Sequence, residues 1–332
     1  MELSFSFPWE VALMTWLQAR MGPLAVTVAS IFSMLGEELV VTAVLGFLFW
    51  CYDKEYAKFV GASAIAAVMW NPMVKNLVFR RRPYCDHASI RCLKPVEPEA
   101  DIYDLKAQGY SFPSGHSATA AATWVSLALY RARPLLTVLA ILLPLLVGLS
   151  RICLGVHYPT DVLAGWALGL ITAFGIGKLQ RVLPRKLLYL LLVLTGIPGW
   201  FYCRSTDFYS AFGLLVGFVL AVPFEERFVR FGIAPGVLRK LLRLAGGLAV
   251  FVGLNTLLKL PFPKELLAAD TFLSHLIRAL RYALVCFADI GLYPLLFRKT
   301  KKPEPETEPE AALSPETGGG TLLRNYSVDA AA

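Results

Sequence analysis

Long apolar runs alternate with short polar breaks along this chain, and the runs have about the 20 residues that a helix needs to cross a bilayer. They fall at 24–50, 57–77, 114–130, 134–150, 160–178, 186–202, 208–224, 238–258 and 276–297, which predicts an all-α, polytopic membrane protein with about nine transmembrane helices. The third run is short and ends on Arg131 and Arg133, and Pro134 then opens the fourth, so these two predict a tight helical hairpin. The last run carries Arg278, Arg281 and Asp289. Ahead of the first run, residues 1–22 lack the charged start and small-residue cleavage site of a signal peptide. Phe5, Phe7, Trp9, Leu13 and Trp16 suit a helix lying at headgroup level instead. From residue 298 the composition changes abruptly to Arg298, Lys299, Lys301 and Lys302, then a Pro/Glu stretch and three glycines, which predicts a disordered tail over 298–332.

Composition narrows the class further. Of 332 residues 56% are hydrophobic and 17% charged, against about 25% charged in an average soluble domain. That excludes disordered, collagen-like and small disulfide-scaffold proteins. A net charge of +8 would suggest nucleic acid in a soluble chain, but membrane proteins concentrate Lys and Arg in cytoplasmic loops, and no nucleic-acid partner is expected here. Alternating nine spans gathers the breaks near 53–58, 131–133, 178–186 and 225–243 with the start of the tail. That group holds seventeen Lys and Arg against fourteen in the other, or eleven once Lys75, Arg82 and Arg151 are set aside for chemistry. The positive-inside rule makes the first group, and the tail, cytoplasmic. The long polar segment 80–111 then faces outward.

Three polar clusters lie at span ends on that outward face. Lys75 is followed by six residues and then Arg82-Pro83; Pro113-Ser114-Gly115-His116 opens the third span; Ser150-Arg151, five residues, His157, three residues and Asp161 bridge the fourth and fifth. Together they hold the parts for metal-free phosphoryl transfer. Lys75, Arg82 and Arg151 supply cations for phosphate oxygens, two of them bidentate guanidinium groups. Ser114 and Gly115 sit at a helix start, where free N–H groups favour an anion. Asp161, four residues after His157, can fix one ring nitrogen and leave the other nucleophilic, while His116 can protonate a departing alkoxide. Any one cluster alone would read as snorkelling anchors or a loop-to-helix start; the three spacings on one face carry the signal.

This three-part pattern resembles the signature of the type 2 phosphatidic acid phosphatase superfamily, which includes lipid phosphate phosphatases, undecaprenyl-pyrophosphate phosphatases, sphingosine-1-phosphate phosphatases, glucose-6-phosphatase and soluble haloperoxidases. The motifs run from 75 to 161 and the similarity in span layout reaches about residue 178. The resemblance implies a phosphohistidine mechanism with no metal and no cofactor: His157 attacks phosphorus, Asp161 supports it, His116 protonates the leaving group, and Lys75, Arg82, Ser114, Gly115 and Arg151 hold the phosphate. It also implies a site facing away from the cytoplasm. The expected organisation is an interfacial segment (1–22), a catalytic membrane core (23–178), additional transmembrane helices (179–297) and the tail. The expected activity is vanadate-sensitive hydrolysis of a lipid phosphate monoester or pyrophosphate within the bilayer. Transfer to another lipid or sugar, sugar-phosphate hydrolysis, and a non-catalytic lipid transporter or scaffold are the alternatives. The scaffold reading is disfavoured because every motif residue is retained.

Residues outside the motifs divide less sharply. Arg80 and Arg81 read as charges that attract headgroups. Cys85 and Cys92 share one outer loop and are as compatible with a disulfide as with two free thiols, while a zinc site lacks ligands. Glu37 and Glu38 fall inside the first span, where an unpaired charge costs about 2.5 to 3.5 kcal/mol, so they must face protein or water. Pro72 is placed to kink the second span ahead of Lys75. His275, Arg278 and Arg281 read either as substrate-selecting groups or as anchors of the final helix.

Overall fold

The computed structural model describes residues 5–297, and within them every regular element is helical. In chain order these are α1 (Pro8–Gln18), α2 (Pro23–Met34), α3 (Glu38–Phe47), α4 (Lys54–Val78), α5 (Pro83–Asp86), α6 (Leu105–Gln108), α7 (Gly115–Tyr130), α8 (Pro134–Cys153), α9 (Pro159–Val182), α10 (Arg185–Gly196), α11 (Gly199–Tyr202), α12 (Thr206–Phe224), α13 (Val237–Leu257), α14 (Lys264–Ala268) and α15 (Phe272–Phe287). Several start where local chemistry dictates. Asp53 and Ser114 cap α4 and α7 by accepting from Tyr56 N and Ser117 N, and Pro134 and Pro159 stand at the first positions of α8 and α9.

Five helical segments among the described residues are long and apolar enough to cross a membrane: Lys54–Asp86, Pro134–Cys153, Pro159–Val182, Thr206–Val229 and Phe272–Phe297. The pair Pro23–Met34 and Glu38–Tyr52 makes a sixth if counted as one span, bent by 49°. The multi-pass all-α class therefore stands, whereas nine spans are not confirmed. The third expected run forms α7, which is only 16 residues long, and the sixth forms the 12-residue α10. The expected uninterrupted span at 24–50 is broken where Gly36, Glu37 and Glu38 interrupt the apolar run. Glu37 pairs there with Lys94 at 2.7 Å, and a methyl group on Gly36 would meet the His116 carbonyl oxygen at 2.7 Å. The break thus brings the chain against the start of α7.

The core is organised around α7, which packs against α4, α8 and α9, with α4 the most buried of the spans. Small residues set the closeness of α7 to α9. A methyl on Gly165 would lie 2.5 Å from the Ser114 carbonyl oxygen, and one on Gly169 2.5 Å from that of Ala118. The later helices form a second pack in which α12 lies along α15 and touches α4. Away from the motifs, Lys54–Glu225, Lys58–Glu55, Lys58–Glu226, Arg131–Asp53 and the Arg185 pairs with Glu55 and Glu226 join four of the breaks assigned above to one face. The tail, 298–332, lies outside the described residues.

Candidate active site

All three motifs converge on the loop between α8 and α9. The Ser114 N–H donates to the Asp161 carbonyl oxygen at 2.9 Å, tying the second motif to the third. Arg82 Nη1 donates to the Val156 carbonyl oxygen at 2.9 Å, tying the first to the third. His157 is 2% exposed and directs Nδ1 at Asp161 Oδ2, 3.5 Å away. Burial, together with the charges of Arg82, Lys75 and Arg151, holds the His157 imidazole well below its ordinary pKa, so the resting ring is neutral. His116, on the first turn of α7, lies within electrostatic reach of Arg151, Arg82 and Lys75 and of His157.

The cations arrive from separate elements. Lys75, one turn before the end of α4, donates to the Tyr110 carbonyl at 2.6 Å. Phe79 then closes α4 in the left-handed region at φ 53°, a conformation uncommon for a bulky residue, and redirects the chain toward Arg80 and Arg82. Arg82 is 4% exposed. Its Nε and Nη2 donate to the Gln108 carbonyl at 3.0 and 2.7 Å, Nε also reaching Gly109 O. With Nη1 on Val156, two of its five N–H groups stay free for an anion. Arg151, 2% exposed, donates through Nη1 to Ser33 Oγ at 2.6 Å, while its Nε is buried with no partner among the described residues. Ser114 Oγ accepts from Ser117 N and Ser117 Oγ, which leaves its own hydrogen free to donate. Gly115 follows at the helix start, and Asn71 anchors the preceding turn through the Pro113 carbonyl at 3.1 Å.

Residues 56–183 match the PAP2 superfamily model, and residues 209–305 match that of the PAP2 superfamily phosphatase transmembrane extension. Decaprenylphosphoryl-5-phosphoribose phosphatase of Mycobacterium tuberculosis is 34% identical over 165 residues, covering 48% of this chain and 84% of the relative. The chain belongs to the PAP2 superfamily. Phosphatidylglycerophosphatase B of Bacillus subtilis is 39% identical over 114 residues, 32% of this chain and 56% of the relative. The undecaprenyl-diphosphatase of Sulfolobus acidocaldarius is 36% identical over 99 residues, 30% of this chain and 47% of the relative. The chain thus spans about half the length of several curated PAP2 relatives that it matches. The crystal structure of Aquifex aeolicus LpxE aligns with a TM-score of 0.45 at 25% identity, covering 54% of this PAP2 chain and 99% of that one.

Sequence reasoning missed a second layer behind the motifs. Arg80 is not a headgroup-facing charge: it is fully buried and pairs with Asp161 Oδ1 at 2.6 Å and Glu10 Oε2 at 2.7 Å. Its guanidinium also stacks on Tyr158, 3.9 Å from the ring centroid. Arg81, by contrast, is partly exposed and pairs with Asp86 at 3.4 Å. Glu10 accepts from Thr160 N and Oγ1 at 3.0 and 2.7 Å. Burial alone would raise the Glu10 carboxyl, but the hydrogen bonds from Thr160 and Phe7 and the Arg80 charge outweigh it and hold the group below its ordinary range. Gln18 pins the same helix to the segment between α5 and α6 through Arg91 O at 2.9 Å and to the end of α8 through Cys153 O at 3.1 Å. The expected aromatic face survives on the other side of α1, with Trp9 and Trp16 about half exposed. The signal for the buried side was present: Glu10, Met14 and Gln18 are spaced four apart.

The remaining candidates resolve as follows. Cys85 and Cys92 are free thiols, so the disulfide alternative is not the state of this structure. His275 pairs with Asp270 at 3.1 Å and stacks on Tyr209 with centroids 3.9 Å apart, while buried Arg281 donates to Asn255 Oδ1 at 3.2 Å. These contacts tie α15 to α12 and α13. Pro72 lies inside α4, which continues through it to Val78.

Proposed function

We propose that this protein hydrolyses a phosphate monoester or pyrophosphate of a membrane lipid through a phosphohistidine intermediate, without a metal. The observation that carries the proposal is the convergence of the three motifs on a buried, neutral His157 backed by Asp161 at 3.5 Å. The curated PAP2 relatives named above are, by name, phosphatases of lipid phosphates or diphosphates, which supports the same substrate class.

In the proposed cycle His157 Nε2 forms a bond to phosphorus as the bond from phosphorus to the leaving oxygen breaks; His116, whose pKa burial and the nearby cations hold low, takes up a proton when the anionic phosphate offsets those charges and gives it to that oxygen. The ring then carries a positive charge, which Asp161 faces. Lys75, Arg151 and the two free Arg82 N–H groups take the phosphoryl oxygens, with the Ser114 hydroxyl and the Gly115 N–H at the positive end of α7. Water next attacks phosphorus and loses its proton to His116, the P–N bond breaks, and inorganic phosphate leaves a neutral His157. The catalytic core is assigned to 23–178, with the helices of 179–297 as an added pack. The site is assigned to the extracytoplasmic or lumenal face and the tail to the cytoplasm, because the opposite breaks carry the larger share of Lys and Arg.

The deciding measurement is phosphate release from lipid phosphates and polyprenyl pyrophosphate by the purified protein in detergent, with His157→Ala alongside. Loss of release in the variant, with EDTA harmless to the wild type, is the expected result. Unchanged release by His157→Ala would end the enzymatic reading, and strong inhibition by EDTA would end the metal-free one.

A further inference from the structure

Behind His157 runs a chain of three buried charges, Glu10, Arg80 and Asp161, contributed by α1, the turn after α4, and α9. Only Asp161 belongs to the motifs. Each Asp161 oxygen is committed: Oδ1 to Arg80 Nη1 at 2.6 Å, and Oδ2 to the Tyr158 N–H at 2.8 Å while facing His157 Nδ1. Turning the carboxylate away from His157 would break both bonds. Thr160, next to Asp161, donates to Glu10 and accepts from Arg80 Nη1 at 2.7 Å, so the three charges share one hydrogen-bonded frame.

The charge balance of this frame has a catalytic consequence. The charges facing His157 from elsewhere, Lys75 on α4, Arg82 before α5 and Arg151 on α8, are all positive. Phosphorylation adds a further positive charge to the ring. An Arg80–Asp161 pair by itself is net neutral and would offset little of it. With Glu10 in place, the three groups sum to one negative charge. We infer that Glu10 and Arg80 are positioning residues for phosphoryl transfer: Arg80 locks Asp161 against His157, and Glu10 cancels the Arg80 charge so that Asp161 acts on the phosphorylated ring as a full anion. This assignment rests on the phosphohistidine reading above. It gives α1, whose other face is aromatic and exposed, a direct electrostatic connection to the reacting ring.

The test compares wild type with Glu10→Gln and with the double variant Glu10→Gln/Arg80→Gln, each checked by thermal melting in detergent. The readouts are kcat, KM, and inhibition by vanadate and by inorganic phosphate. Vanadate takes the pentacoordinate geometry bonded to the histidine, whereas phosphate reports only the anion site. Glu10→Gln is expected to lower kcat about tenfold with KM nearly unchanged, and to weaken vanadate about tenfold while phosphate inhibition stays within about twofold. The double variant restores a net charge of minus one but loses the Arg80 contact to Asp161, so its kcat is expected to lie between those of Glu10→Gln and wild type; if the single variant does not fold, a double-variant kcat that falls, but by less than about tenfold, supplies the test. Wild-type kcat in Glu10→Gln, equal weakening of vanadate and phosphate, or a double variant no faster than the single one would overturn the inference. Failure of the underlying reading shows separately, as phosphate release that survives His157→Ala.

Discussion

Replacing Gly165 by alanine tests how the α7–α9 contact sets the active-site geometry. The added methyl would sit 2.5 Å from the Ser114 carbonyl oxygen and 3.0 Å from Ser117 Cβ. That is about 0.9 Å short of an ordinary contact, and the obstacle is backbone oxygen, which cannot rotate aside as a side chain can. Gly165 is one turn along α9 from Asp161, whose carbonyl accepts the Ser114 N–H at 2.9 Å. Parting the helices by most of an ångström therefore stretches the bond that joins the second and third motifs. Overpacking of this kind costs about 1–3 kcal/mol of stability, and a displacement of about 1 Å in catalytic groups can cost about a hundredfold in rate. The expected outcome is a lowered melting temperature and a fall in kcat/KM of about tenfold to a hundredfold for lipid phosphate hydrolysis. Gly175→Ala on the same helix is the control, because a methyl there meets nothing within 4 Å. It is expected to leave activity intact and stability equal or raised by about 0.5–1 kcal/mol. Gly165→Ala with activity and melting equal to those of Gly175→Ala would refute the close approach and the reasoning built on it.

Other outcomes follow from the same geometry. His116→Ala is expected to lower kcat/KM, which reports phosphoenzyme formation alone, by about a hundredfold or more for alkyl phosphates but far less for p-nitrophenyl phosphate, since the better leaving group needs no proton; equal losses of kcat/KM on both would remove His116 from the general-acid role. Because burial and the Arg82, Lys75 and Arg151 charges hold the His157 imidazole well below its ordinary pKa, the proposed nucleophile stays neutral as the pH falls from 7 to 6. A loss of kcat/KM titrating near 6.5, tracked on a substrate whose own ionisation is complete above that range, would contradict the buried, cation-flanked ring. Glu225→Gln, which leaves Lys54 without the carboxylate it meets at 2.5 Å, is expected to lower the melting temperature while sparing kcat, because that ion-pair cluster lies away from the motifs. Equal damage to both would show that the cluster communicates with the site.

How far these features could be read in advance depended on the sequence separation of the partners. Lys75 with Arg82, and His157 with Asp161, sit close along the chain at fixed spacings, so residue type and order were enough to single them out as candidates. Arg80 stands between Lys75 and Arg82 yet could not be read the same way. Its partners lie 70 and 81 residues away, and one of them is on a helix that the sequence marked only as interfacial. The same arginine type at a span end serves equally well as a headgroup anchor or a buried counter-ion, and burial alone separates the two. Glu37 and Glu38 did signal trouble within an apolar run, but neither the 49° bend nor the approach of Gly36 to His116 beside it could be read from them.

Hydropathy by itself determined that this is a many-helix membrane protein, because bilayer thickness fixes the length of apolar runs, and the three motif spacings carried the resemblance to the PAP2 superfamily. Tertiary structure alone decided which runs become long helices, where the first span breaks, and which charges stand behind His157. Those outcomes depend on contacts between residues far apart in the chain, where a glycine admits a neighbouring backbone or a buried arginine finds two carboxylates, and local pattern carries no record of the distance between them.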